Sequence, residues 1–296
     1  MPRQTAEDFA PEVLGLFDQF VHGIIHRRDF LKSAAKYAVA GVTAEGLLAA
    51  LSPRFAEARQ VAEDDPRIVA RHIEISSPGG YGKVRAYLVR PAQPAGKLPG
   101  ILVVHENRGL NPHIEDIARR LALEGFIALA PDALSPLGGY PGDEDQAREL
   151  FAKLDQAKTR EDFVAAAKTL ETLPEGNGKV GVVGFCWGGG VANFLATRLP
   201  ELAAVVPFYG NQPAAEAVAR IKSPLLIHYA GEDERINAGW PAYEAALKAA
   251  GVHYAAYIYP GVQHGFNNDT TPRFDEAAAK LAWQRTIGFF NRYLRS

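Results

Sequence analysis

The chain has 296 residues, 47% hydrophobic and 22% charged, which is enough for a full core and argues for one α/β domain plus an extension. A formal net charge of −2 supplies no basic surface and so no case for a nucleic-acid partner. One cysteine excludes an internal disulfide and any cysteine cluster for zinc or iron–sulfur.

Residues 1–65 differ from the rest. Apolar Val13, Leu14, Phe17, Phe20, Val21 and Ile24 recur at helical spacing and predict a short amphipathic helix over Phe9 to Ile25. His22 and His26 lie four apart on it, with no carboxylate ligand pattern around them, and are expected at the surface. Arg27-Arg28-Asp29-Phe30-Leu31-Lys32 then resembles the twin-arginine export signal at every position. An alanine-rich stretch, Ala34 to Leu51, follows, and Phe55-Ala-Glu-Ala58 is similar to a signal cleavage site. Lys36 and Glu45 leave the apolar run too short and too charged to span a membrane. Two readings stay open. One is a signal that takes the protein to the periplasm; the other is a helical arm of a cytoplasmic protein, packed on its own domain or on a second copy in a homo-oligomer. They are compatible, because a homologous signal can persist as a folded arm.

Residues 66–296 read as the main domain. Val69–Ser76 and Val84–Arg90 alternate around Gly79-Gly80-Tyr81-Gly82, which predicts an antiparallel hairpin. Ile101–Val104 is a fully apolar strand, Pro112–Glu124 a helix stopped by Gly125, and Phe126–Ala130 another buried strand. After a loop rich in glycine and proline, Ser135 to Gly142, a charged helical segment is expected from about Asp143 to Thr172. Strands follow at Val180–Val183, Ala203–Tyr209, Pro224–Tyr229 and Tyr254–Tyr259, with helical sequence between them and a last helix from about Pro272 to Leu294. Strands alternating with helices imply a mostly parallel sheet covered on both faces, whose chemistry collects at the carboxyl ends of the strands.

What stands at those ends is a pattern. Gly184-Phe185-Cys186-Trp187-Gly188 joins a buried strand to a helix without a linker, which is the G-x-S-x-G elbow with cysteine in place of serine. Glu106 follows Ile101–Val104, Asp233 follows Pro224–Tyr229 and His264 follows Tyr254–Tyr259, so nucleophile, acid and histidine come in the α/β-hydrolase order. His264 can take the thiol proton and return it to a leaving alkoxide, while Asp233 holds the imidazole in one tautomer. The helix starting after Cys186 aims its amides at the turn and favours negative charge there. Taken singly, Asp233 also reads as a helix cap, His264 as a loop histidine and Glu106 as a solvated carboxylate. No phosphate-cradling or dinucleotide motif and no metal-ligand spacing is present, so neither cofactor nor metal is expected.

His105-Glu106, Ala130-Pro131-Asp132, Gly184-Phe185-Cys186-Trp187-Gly188-Gly189, Asp233 and His264-Gly265-Phe266 together resemble the dienelactone hydrolase family of the α/β-hydrolase fold, over roughly residues 66–296. The resemblance implies a Cys186–Asp233–His264 triad, with Glu106 helping to form the thiolate. It also implies an oxyanion hole from the backbone N–H groups of Trp187 and Asn107. The reaction implied is hydrolysis of a small ester or enol-lactone, such as a carboxymethylenebutenolide, through an acyl-thioester. An enolate leaving group departs easily, so a weakly basic thiolate suffices.

The better-known members hold the substrate carboxylate with arginines before the elbow and shortly after the histidine. Here Gly138–Asp143 has no arginine and the first arginine after His264 is Arg273. Arg108 and Arg273 are the candidate carboxylate clamps, and Tyr140 a candidate pocket wall. A broader carboxylesterase or thioesterase is the alternative within enzymes, and a non-catalytic interaction protein of the same fold the alternative outside them. A thiol-redox role lacks a second cysteine to resolve a sulfenic acid.

Overall fold

The computed structural model describes residues 4–38 and 42–295. Helices α1 (Pro11–Val21), α2 (Arg27–Ala34), α3 (Ala44–Leu51) and α4 (Phe55–Ala58) come first. The hairpin β1 (Ile68–Ser77) and β2 (Gly82–Pro91) opens the sheet, followed by β3 (Leu98–Val104), α5 (Pro112–Leu123) and β4 (Ile127–Pro131). Next come α6 (Glu144–Phe151), α7 (Gln156–Glu171), β5 (Gly176–Phe185), α8 (Trp187–Arg198), β6 (Ala204–Phe208), α9 (Ala215–Val218) and β7 (Leu225–Ala230). The chain ends with α10 (Glu234–Asn237), α11 (Trp240–Ala249), β8 (Tyr254–Tyr259) and α12 (Glu276–Leu294).

The strands form one sheet in the order β1-β2-β4-β3-β5-β6-β7-β8. The β1–β2 and β2–β4 pairs are antiparallel, and every other neighbouring pair is parallel. A parallel sheet must be covered on both faces. One cluster, with Phe163 of α7, Leu195 of α8 and Leu247 of α11, packs on one face. The other, with Ile114 and Leu121 of α5 and Phe290 of α12, packs on the opposite face. The expected α/β-hydrolase architecture is therefore what forms.

Some boundaries differ from expectation for local reasons. The segment expected as one helix over 143–172 is two, because Asp155 accepts from the amides of Ala157 and Lys158 and starts α7 afresh. The last helix begins at Glu276 rather than at Pro272, capped by the Asp275 carboxylate on the Ala278 amide. The first helix stops at Val21, and Ile24, expected on its apolar face, is 61% exposed. Arg27 to Lys32 lie in α2, and the alanine-rich stretch includes residues 39–41, which lie outside the described residues.

Helices α1–α3 enclose a third cluster, separate from the two on the sheet, formed by Val13, Leu14, Phe17, Phe20, Phe30, Leu48 and Leu51 among others. Phe17, Phe20 and Phe30 pack ring on ring at 5.7–6.4 Å. No helix among the described residues is long and apolar enough to cross a membrane.

Candidate active site

The elbow is a steric device. Cys186 sits at φ 56°, ψ −115°, in the sparsely allowed positive-φ half of backbone space and outside the left-handed helical region. A Cβ on Gly184 would lie 2.0 Å from the Gly188 carbonyl oxygen, and one on Gly188 would lie 2.3 Å from that of Val104. Strand β5 and helix α8 therefore meet through bare backbone, and the turn between them pushes Cys186 up from the carboxyl edge of the sheet. Its amide donates to the Phe208 carbonyl at 3.1 Å, which ties the turn to β6.

Asp233 and His264 stand beyond the ends of β7 and β8, and both are buried. His264 Nδ1 donates to Asp233 Oδ2 at 2.5 Å, while the other carboxylate oxygen accepts from the Ile236 amide at 3.3 Å and caps α10. One oxygen of Asp233 thus faces His264 and the other caps α10. His264 Nε2 is buried with no hydrogen-bond partner, and a ring nitrogen of His264 lies within 4.8 Å of Cys186 Sγ. Burial pushes the thiol pKa up, but the imidazoles of His264 and His22 outweigh it and bring Cys186 down to about 6. Burial depresses His264, yet Cys186 and Asp233 lift it to about 10. Both shifts run toward a thiolate beside an imidazolium.

Trp187 is the first residue of α8, so its N–H is one of the helix amides without an intrahelical acceptor. Its indole stacks on His105 at 5.4 Å, and His105 Nε2 accepts the Ala133 amide, which fastens the loop after β3 to the loop after β4. Asp132 closes the same corner by accepting from the amides of Leu110, Leu134 and Tyr140. Glu106 Oε2 accepts from Asn268 Nδ2 at 3.0 Å, so this carboxylate points across the site toward the loop after β8.

Above these groups lies a cavity of about 360 Å³, lined by Glu106, Arg108, Tyr140, Cys186, His264 and Arg273 from the main domain. Its far wall is the N-terminal segment: Phe17, Phe20, His22 and Leu48. The carboxyl end of α1 is what docks. The Val21 carbonyl accepts from Asn107 Nδ2 at 2.8 Å and from Arg108 at 3.1 Å, and that of Phe20 from Arg148 at 3.0 Å. Cationic donors on the last carbonyls of a helix satisfy orphan acceptors and match its dipole. Arg273 lies 5.1 Å from the Phe17 ring centre and 3.4 Å from Asp18. Both candidate clamp arginines therefore line the cavity, and each is also held by α1. Tyr140 reaches the cavity with its hydroxyl donated to Glu144 at 2.9 Å.

His22 corrects the sequence reading. It is mostly buried, not on the surface, and its Nε2 is 3.5 Å from Cys186 Sγ. His26 is exposed, as expected. The signal that was available is Asp18, four residues before His22, which forms the i,i+4 carboxylate–histidine pair. Two further residues escaped the sequence reading. Arg235 donates to His22 Nε2 at 3.1 Å. Tyr209, at φ 36°, packs its ring at a tilt 4.9 Å from that of His264, with its hydroxyl buried and without a partner. The ligand atoms of His22, Cys186 and His264 all lie within 4.8 Å of one another, and a thiolate with two imidazoles is a donor set that could hold a zinc-like cation.

The profile of the Dienelactone hydrolase family matches residues 84–294, and that of the YqhI-like family residues 1–38. A Saccharolobus solfataricus protein named "Putative carboxymethylenebutenolidase" is 35% identical over 246 residues, covering 71% of this chain and 94% of that one. An Escherichia coli protein named "Putative hydrolase fragment YghX" is 57% identical over 114 residues, 38% of this chain and 97% of its own. Among solved structures, a dienelactone hydrolase-type protein of Klebsiella pneumoniae superposes with a TM-score of 0.69 at 30% identity, covering 76% of this chain and 99% of that one.

Proposed function

The chain belongs to the dienelactone hydrolase family, and from that premise we propose that Cys186, His264 and Asp233 are its catalytic triad, acting on a small ester or lactone. Hydrolysis of the ester and lactone class is the activity the family carries. The observation that supports the triad most is the His264 Nδ1–Asp233 Oδ2 bond beside a thiol lowered to about 6. The Cys186 thiolate attacks the acyl carbon, His264 protonates the leaving oxygen, and water then cleaves the thioester. The amides of Trp187 and Asn107 are assigned to the oxyanion, and Glu106 to setting the charge at the site during acylation. Residues 1–65 are read as an arm that roofs the site of its own chain, and 66–296 as the hydrolase domain.

Arg108 and Arg273 favour a substrate that carries a carboxylate, because both are buried cations on the cavity wall. Ester and lactone pairs matched except for a carboxylate should differ by about tenfold or more in kcat/KM, in favour of the acid. Equal rates across the pairs would favour a broader carboxylesterase. The acyl-thioester itself is tested by acid-quenching turnover and locating the acyl mass on the Cys186 peptide.

The pH profile follows from the same charges. Activity needs the thiolate and the imidazolium together, so kcat/KM should rise through about pH 6, as Cys186 loses its proton, and fall through about pH 10, as His264 loses its own. A profile rising only near pH 8–9, the range of an ordinary thiol, would mean that the ion pair does not form.

A further inference from the structure

Cys186 has two imidazoles, not one. His264 carries its own carboxylate, Asp233, from the loops after β8 and β7, and His22 arrives from the opposite side with a second, Asp18. The His22 and His264 rings meet edge to face at 4.7 Å, with sulfur beside both. The tautomer of His22 is fixed by its neighbours. Nδ1 donates to the Asp18 carbonyl at 2.7 Å and lies 3.2 Å from its carboxylate, while Nε2 takes an N–H from Arg235. Nε2 is thereby the accepting nitrogen of the neutral ring, with the Arg235 guanidinium and, at 3.5 Å, the sulfur beside it. That is the arrangement of a general base held by a carboxylate, repeated on the other side of the nucleophile.

Resting on the triad assigned above, we infer that His22, delivered by the N-terminal arm, is a second catalytic histidine that activates the water cleaving the acyl-thioester. In acylation the S–C bond forms, the acyl C–O bond breaks and the leaving oxygen takes the proton of His264. In deacylation the water oxygen adds to the thioester carbon and its proton passes to His22 Nε2. The C–S bond then breaks, its electron pair returns to sulfur, and the proton moves through solvent to His264. The cycle consumes one ester and one water and yields one acid and one alcohol. Dividing the roles leaves each histidine in the protonation state its step requires.

Pre-steady-state hydrolysis of p-nitrophenyl acetate, with EDTA present, tests this in the full chain. At pH 9, where a thiol ionises without help from His22, His22→Ala should keep the burst of nitrophenol within about threefold of wild type, while steady-state turnover falls about 100-fold, the range for loss of a general base. Acetylated Cys186 should accumulate in intact-mass spectra. Hydroxylamine, which attacks a thioester without a base, should restore turnover. Asp18→Asn, which leaves the imidazole in place, should give the same split in milder form. Unchanged turnover in both variants would overturn the inference. So would equal loss of burst and turnover, which marks a structural role, or a gain in both, which marks the arm as an inhibitory cap. Cys186→Ala run alongside separates the two proposals: a surviving burst in that variant overturns the triad itself, whereas its loss with a normal His22→Ala overturns only the second histidine.

Discussion

Cys186→Ala should lower kcat/KM for p-nitrophenyl acetate and for enol-lactones by about 10⁴-fold or more, with circular dichroism and melting temperature close to wild type. Removing the nucleophile of a triad leaves only the catalysis that binding and the oxyanion donors supply. The fold has little stake in the side chain. It ends at the cavity against the two imidazoles, and the turn is held by backbone contacts: Cys186 N to the Phe208 carbonyl, and Gly189 N and Gly190 N to the Cys186 carbonyl. Truncation also removes the partner that lifts His264, so the histidine should titrate lower in the variant than in wild type, an effect readable by NMR. A variant within tenfold of wild type would remove Cys186 from the chemistry.

The second large effect concerns stability. Gly184→Ala should destabilise the protein by about 3 kcal/mol or more and lower its melting temperature by roughly 10 °C. The added methyl would stand 2.0 Å from the Gly188 oxygen, 2.4 Å from its carbonyl carbon and 3.0 Å from the Gly189 nitrogen. All three are backbone atoms at the start of α8, so no side chain can swing aside. The helix must move off the strand, and the thiol moves with it. Gly190→Ala is the control. Its nearest neighbours stand at 3.6 Å, an ordinary contact, and α8 gains helix propensity, so that variant should be neutral or slightly stabilised. Similar melting temperatures for the two variants would mean that the elbow is not held by this close approach.

How much of this could be read from the sequence follows from the range of each interaction. The sheet was legible because apolar runs and alternation are local, and the meeting of Cys186, Asp233 and His264 because strand ends share one edge in any parallel sheet. The glycines at 184, 188 and 189 carried their meaning in spacing alone. The division of 143–172 was missed because Asp155 is an unremarkable residue until its carboxylate is seen on the amides of Ala157 and Lys158. His22 was missed for a different reason. It meets Cys186 across 164 positions of sequence, and helical periodicity says which side of α1 is apolar but not where that side docks. Arg148 is likewise an ordinary surface candidate, and Arg108 a candidate clamp with no link to α1, until the helix is placed against them.

The roof of the cavity and its floor draw their packing from different parts of the chain, although Arg148 and Arg273 lean on the roof's Phe20 and Phe17 rings. Phe17, Phe20 and Leu48 belong to a cluster closed within the first three helices, whereas the elbow rests on backbone packed between β5, β6 and α8. Repacking the roof at Phe17, Phe20 or Leu48 therefore changes the wall that the acyl group meets while the elbow stays in place, provided that His22, which follows α1 directly and lies 3.5 Å from the sulfur, keeps its position. In a laboratory library that couples a growth or colour selection to residues 17, 20 and 48, the nucleophile would come through unchanged while the preferred ester shifts.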